Sequence, residues 1–241
     1  MDVFVTSSGR PQLIELVGPA GAGKTAVLLA LAARAPMIRT GIRIDRVRQL
    51  PAVAWHALAL TPATVDMLFT DARWLWPGLR HLGRLRTIPA EVERARMTGP
   101  RAIVLDEGPV FSLGRLAVFQ HASDGTGWLA RQWSAELERW TGLLNGVVLL
   151  DAPNDVLADR IRQRPKAHQV KDSDDRQIRA FLDRYRAAYQ DIVNRLTAAG
   201  QVRMVAIDTT TASVQDVARD ILAVMDSWGM RSDVATADRG M

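Results

Sequence analysis

The segment Gly18-Pro19-Ala20-Gly21-Ala22-Gly23-Lys24-Thr25 fits G-x-x-x-x-G-K-[ST] at every fixed position, directly after the apolar run Leu13-Ile14-Glu15-Leu16-Val17. A strand that runs into a glycine-rich turn and then a helix turns several backbone N–H groups, and the positive end of the helix, toward one anion. This context predicts a nucleotide site. Gly18, Gly21, Ala22 and Gly23 would line the phosphates, Lys24 would reach the β- and γ-phosphates, and Thr25 would serve Mg²⁺.

A chain of 241 residues with 48% hydrophobic content can bury a full core without cross-links, and it has no cysteine. That absence excludes a disulfide framework, a thiolate zinc site and a cysteine nucleophile together. No apolar stretch approaches membrane-spanning length, and Met1 to Gly9 lacks the basic start and apolar segment of a signal peptide. A cytoplasmic protein with no membrane partner is expected. One domain is expected over residues 1–230, with an acceptor-site insertion at about 42–100, a lid at about 160–173 and a loose tail at 231–241.

The net charge of +5 comes mainly from arginine. Seven arginines (73, 80, 84, 86, 94, 96 and 101) face Glu91 and Glu93 in one stretch, and a second basic group runs from Arg160 to Lys171. Such runs solvate helix faces, neutralise a phosphorylated small molecule, or follow a nucleic-acid backbone.

Strand candidates alternate with helical stretches, the pattern of a mainly parallel sheet covered on both faces. Besides Leu13–Val17, strands are predicted near Pro36–Ile38, Ala102–Leu105, Val147–Leu150 and Val202–Ile207. Helices are predicted over Lys24–Ala33, in several pieces between Pro62 and Thr98, and over Trp128–Leu143, Asn154–Gln163, Asp174–Ala199 and Val214–Trp228. The helix from Asp174 repeats Ile178, Phe181, Leu182, Tyr185, Tyr189, Ile192 and Leu196 at three- and four-residue intervals, the mark of a packed face. Open α/β sheets bind ligands at the carboxyl ends of their strands, which draws attention to Arg39, Asp106 and Asp151.

The strand Ala102–Leu105 emerges into Asp106-Glu107-Gly108-Pro109. A carboxylate there can serve Mg²⁺, a hard cation that takes oxygen ligands, or accept the proton of an attacking hydroxyl. The sequence leaves the division between Asp106 and Glu107 open. Further on, Arg160 and Arg164 lie four residues apart on one helical face, and Pro165 breaks that helix into a polar stretch. This pattern suits a cationic lid over a transferring phosphoryl group, and equally a solvated helix end with favourable dipole placement.

Three segments carry a family likeness: Gly18 to Thr25, Val147 to Arg164, and Phe181 to Tyr189 followed by a strand ending at Asp208 and a helix from Val214. With them the chain resembles the thymidylate-kinase-like branch of the P-loop nucleoside and nucleotide kinases. The resemblance implies a three-layer P-loop fold whose five-stranded, mainly parallel sheet has the order 2-3-1-4-5, with helices on both faces. It also implies ATP and Mg²⁺ as cofactors, and lid arginines at Arg160 and Arg164. Thymidylate kinases usually follow the third strand with Asp-Arg-Tyr or Asp-Arg-His, whereas this chain has Asp106-Glu107-Gly108. The end of the second strand, Arg39-Thr40-Gly41, keeps only part of their Arg-Glu-Pro-Gly-Gly pattern. The acceptor is therefore open among nucleosides, nucleotides and other alcohols, with Arg39, Arg43 and Asp45 as candidate substrate-binding residues.

Trp55, Trp74 and Trp76 are read as packing residues, and the four histidines (56, 81, 121 and 168) show no metal-ligand spacing. Neither the Asn-Lys-x-Asp motif of GTPases nor the Leu-Ser-Gly-Gly-Gln signature of transporter ATPases is present. The expected activity is ATP- and Mg²⁺-dependent phosphoryl transfer to a small-molecule acceptor. Nucleic acid is not the expected partner, and a homodimer stays open. The rival is a regulatory ATPase whose arginine-rich insertion contacts nucleic acid or a protein.

Overall fold

The computed structural model describes residues 11–42, 72–120, 128–165, 167–198, 200 and 202–229. Arg43, Asp45, Trp55, His56, His121 and the tail from 231 lie outside the described residues. Five strands form one sheet: β1 (Gln12–Val17), β2 (Ile38–Thr40), β3 (Ala102–Leu105), β4 (Gly146–Asp151) and β5 (Arg203–Asp208). Every pairing is parallel, in the order β2-β3-β1-β4-β5. The expected order 2-3-1-4-5 is thus the observed one. β1, at the centre, aligns Leu13 with Ile103 on one side and Leu16 with Val148 on the other.

Seven helices surround the sheet among the described residues: α1 (Lys24–Arg34), α2 (Ala72–Arg96), α3 (Pro109–Gln120), α4 (Trp128–Thr141), α5 (Asn154–Gln163), α6 (Asp175–Ala198) and α7 (Val214–Ser227). α1 packs on α7, and on the other face α3 packs on α6 with α2, α4 and α5 around them. α1 buries Val27, Leu28, Ala30 and Leu31, a stripe at helical spacing. α7 starts at Ser213, whose Oγ accepts the Asp216 N–H at 3.1 Å and donates to the Asp216 carboxylate at 2.6 Å, closing the first turn. All seven residues of the repeat expected on α6 are buried, and Val193 joins them.

Three elements differ from the sequence reading. β2 lies two residues later, because Ile38 to Thr40 are the residues that pair with Ala102 to Val104. Of the stretch from Pro62 to Thr98 expected to hold several helical pieces, the described part, from residue 72, forms one continuous helix of 25 residues, α2, that runs through Pro77 and Pro89. α3 was not predicted: Gly108-Pro109 reads as a turn, yet proline at a first helical position suits the fixed φ and the missing N–H.

The end of the sheet away from the strand carboxyl termini is latched by side chains. The Asn145 side-chain oxygen accepts the Leu13 N–H at 2.7 Å, and the Gln12 amide donates to the Trp228 carbonyl at 3.3 Å. Gly146 opens β4 beneath the Trp228 ring, and a Cβ there would lie 2.2 Å from a ring carbon. Gly146→Ala should therefore displace the indole and cost about 1–3 kcal/mol. In urea denaturation the double variant with Trp228→Ala should lose clearly less than the sum of the two single losses, since both act on one contact.

Candidate phosphoryl-transfer site

The turn between β1 and α1 is shaped by what a side chain would strike. A Cβ at Gly18 would lie 2.2 Å from the Leu150 carbonyl oxygen, and one at Gly21 would lie 2.8 Å from that of Leu157. Gly21 and Gly23 both have φ of 87°, in the left-handed region that glycine enters at little cost. The loop is thereby seated on β4 and α5, with its backbone turned toward the first turn of α1. Lys24 folds back over it and donates to the Gly18 and Pro19 carbonyls at 2.6 and 3.1 Å. Its ammonium pKa falls to about 8, chiefly through burial and further through Arg164, against the opposing pull of Asp106.

A cavity of about 440 Å³ opens beside this loop. Its lining includes Gly18, Gly21, Gly23, Lys24 and Thr25 of the loop and first turn of α1, Asp106 and Glu107 after β3, and Phe111, Arg115, Phe181, Tyr185 and Tyr189 of α3 and α6. Arg160, Arg164 and His168 complete the enclosure. Of the residues singled out from sequence, the lysine, threonine, both carboxylates, both arginines and the three glycines meet here. Ala22 is buried beneath the loop. Arg39, exposed on the edge strand β2, does not line the cavity.

The two carboxylates differ in their settings. Glu107 pairs with Arg84 of α2 at 2.7 Å, and Arg84 also donates to the Glu107 carbonyl at 2.7 Å, so the guanidinium grips main chain and side chain together. Asp106 exerts the larger influence of the two on the Lys24 ammonium. The two arginines differ as well. Arg160 donates to the Thr209 carbonyl at 2.7 Å, the Thr209 hydroxyl at 3.1 Å and the Thr210 carbonyl at 3.3 Å, fastening α5 to the loop after β5. Arg164, the residue after α5, is in extended conformation, and its carbonyl accepts from Lys171.

Sequence reasoning missed Phe111 and Arg115 of the lining, and also a residue behind it that shapes the site. Glu15 sits in the middle of β1 with no exposed surface, and its carboxylate oxygens accept the Val110 and Phe111 N–H groups at 2.7 and 2.9 Å. These are free N–H groups at the start of α3, so the acid caps a helix 95 residues away. Gly108 is confined to hydrogen, because a Cβ would lie 2.7 Å from the Glu15 carboxyl carbon. Burial pushes the Glu15 pKa up to about 7 against those backbone bonds and the Arg84 charge. A lone acid inside an otherwise apolar strand was the available signal.

The arginine-rich stretch before β3 is largely paired internally. Arg84 meets Glu107, Arg86 meets Glu136 and Gln132, and Arg94 and Arg96 meet Glu91 and Glu93. No cluster of three or more metal-ligating side chains occurs among the described residues. No helix among them is long and apolar enough to cross a membrane.

A parallel 2-3-1-4-5 sheet with a phosphate loop after its central strand defines a P-loop protein with the fold of nucleoside and nucleotide kinases. The AAA-domain family model matches residues 13–188, well over half of the chain, and the protein belongs to that family. No match appears among curated proteins. Among solved structures, the chain is similar to a thymidylate kinase from Candida albicans, at 11% identity over 92% of this chain and 93% of the other, with a TM-score of 0.55. It is also similar to a deoxyadenosine kinase from M. mycoides with dCMP and a flexible dCDP bound, at 12% identity over 90% of this chain and all of the other, with a TM-score of 0.52.

Glu15→Gln should replace one good N–H acceptor by an amide NH₂ and destabilise the fold by about 1–3 kcal/mol. The wild-type pKa is raised from 4.5 to about 7, so Glu15's contribution is most favourable below about 4.5 and is lost as pH rises through about 7. Melting curves across pH 4–8 should show that slope in the wild type and its flattening in Glu15→Gln.

Proposed function

We propose that this protein transfers the γ-phosphoryl group of ATP to a hydroxyl of a small-molecule acceptor, with Mg²⁺. The observation that carries this reading is that one cavity joins Lys24, Thr25, Asp106 and Glu107 to the rings of Phe111, Phe181, Tyr185 and Tyr189. The loop suits a polyphosphate: Gly23, in the left-handed region, faces open space at the start of α1, and the first turn of α1 has no acidic residue. Thr25 and Asp106 offer oxygen ligands of the kind Mg²⁺ takes. When bound, the ion would neutralise charge on the polyphosphate.

Lys24 exchanges its two carbonyl partners for phosphate oxygens and stabilises charge that grows in the transition state. Asp106 directly follows β3 and lines the same cavity as Thr25, which favours Asp106 for the metal side. Glu107, oriented by Arg84, is then the group that accepts the acceptor hydroxyl proton. Arg164, on the segment after α5, supplies the second cation at the phosphoryl group, whereas Arg160 braces the helix beneath it. Residues 164–173 would act as the lid, excluding the water that otherwise hydrolyses ATP. Such an ATP consumer belongs in the cytoplasm. The internal pairing of the arginines before β3 gives little support to a nucleic-acid-binding ATPase.

The test is ATP turnover by the purified protein with Mg²⁺ and a panel of nucleosides, nucleotides, sugars and other alcohols, followed by mass spectrometry. Acceptors gaining one phosphoryl group support the proposal. Hydrolysis that responds only to nucleic acid or to a protein partner refutes it. Lys24→Ala should lower the transfer rate by roughly two to three orders of magnitude.

A further inference from the structure

Resting on the phosphoryl-transfer reading, we infer that the acceptor is an uncharged alcohol with a planar, apolar body, seated against the rings that α3 and α6 present to the cavity and held by the hydroxyl of Tyr185. Part of the cavity lining is a strip of rings. Phe181 lies 4.7 Å from Tyr185 between ring centroids, Tyr185 lies 5.7 Å from Tyr189, and His168 meets Phe181 edge-on at 5.5 Å. From the opposite helix Phe111 reaches the same space, with His81 edge-on behind it at 5.8 Å. Gly114 lets the helices close on each other, since a Cβ there would lie 2.6 Å from the Tyr189 ring. Such a wall takes up a flat apolar molecule through ring contacts and burial.

Two features argue against an acceptor phosphate. The start of α3, directly after Glu107, is the helix terminus beside this part of the cavity, and a helix N-terminus is a natural phosphate site. Here its Val110 and Phe111 N–H groups already donate to the Glu15 carboxylate, which places an acid where a phosphate would need donors. The cation on the aromatic wall is Arg115, and it is engaged twice. It donates to the Tyr185 hydroxyl at 2.7 Å and stacks over the Phe119 ring at 4.5 Å.

The same contact equips Tyr185 as a donor. Its oxygen accepts from Arg115, and among the described residues its own proton has no acceptor. Burial pushes the phenol up to about 12, the nearby Arg115 opposing, so the proton stays on at neutral pH. It is available to a carbonyl, ring nitrogen or hydroxyl of the acceptor. His168, held neutral by burial and by Arg164, Arg115 and Lys24, adds no charge.

The experiment compares adenosine, thymidine and tyrosol with AMP, TMP and tyrosol phosphate. Binding is read by isothermal titration without ATP, and transfer is read with MgATP by mass spectrometry. ATP binding is measured separately with a fluorescent analogue. At least one uncharged compound should bind and be phosphorylated, with kcat/KM at least about tenfold above that of its phosphorylated counterpart. Tyr185→Phe should raise the KM for that compound about tenfold through loss of one hydrogen bond, with a much smaller change in kcat. A bound ATP analogue with preference for the phosphorylated compounds, or an unchanged KM in Tyr185→Phe, overturns the inference. Failure to bind the ATP analogue overturns the phosphoryl-transfer reading beneath it.

Discussion

The bond between the Glu15 carboxylate and the first N–H groups of α3 ties the central strand to a helix that lines the cavity through Phe111 and Arg115. A buried acid is costly unless its oxygens are satisfied, and the open end of a helix supplies both hydrogen bonds and a favourable dipole. Gly108 has to be glycine because this carboxyl group fills the space where a side chain would stand. The turn carrying Asp106 and Glu107 is therefore fixed from within the sheet, and Arg84 fixes it again from α2. Both carboxylates reach the phosphate loop because β3 and β1 are neighbours in parallel register.

Packing around the loop follows one logic on the other side. β4 and α5 come so close to Gly18 and Gly21 that only glycine fits. Asp151, at the end of β4, is gripped by Arg186 of α6 at 2.7 and 3.0 Å, and Arg160 binds the loop after β5. Phosphate loop, β4, α5 and the loop after β5 thus share direct contacts. The rings of α6 meet α3 across Gly114, so the two halves of the cavity rest on one framework.

Much of this was legible in the sequence because the signals were local. The phosphate loop is contiguous, strands β1, β3 and β4 are short apolar runs, and the α6 face repeats at helical spacing from Ile178 to Leu196. What was not legible depended on partners far apart in the chain. Glu15 reads as one polar residue in an apolar strand until α3 is placed against it. α3 itself was obscured because Gly108-Pro109 is as suited to a turn as to a helix start. Arg160 and Arg164 share a helical spacing, yet Thr209 engages only the first, a distinction that four-residue periodicity cannot carry. Arg39 follows the rule that ligands gather at strand ends, and it stands on the edge strand outside the described cavity lining.

The clamp of Arg160 on the loop after β5 has a mechanical consequence. A helix bolted near its last turn is held against swinging as a lever, so a closure of the proposed kind would have to bend the backbone beyond it, beginning at the extended Arg164, whose carbonyl accepts from Lys171. Opening and closing would bend a few peptide units and leave the hydrophobic core undisturbed.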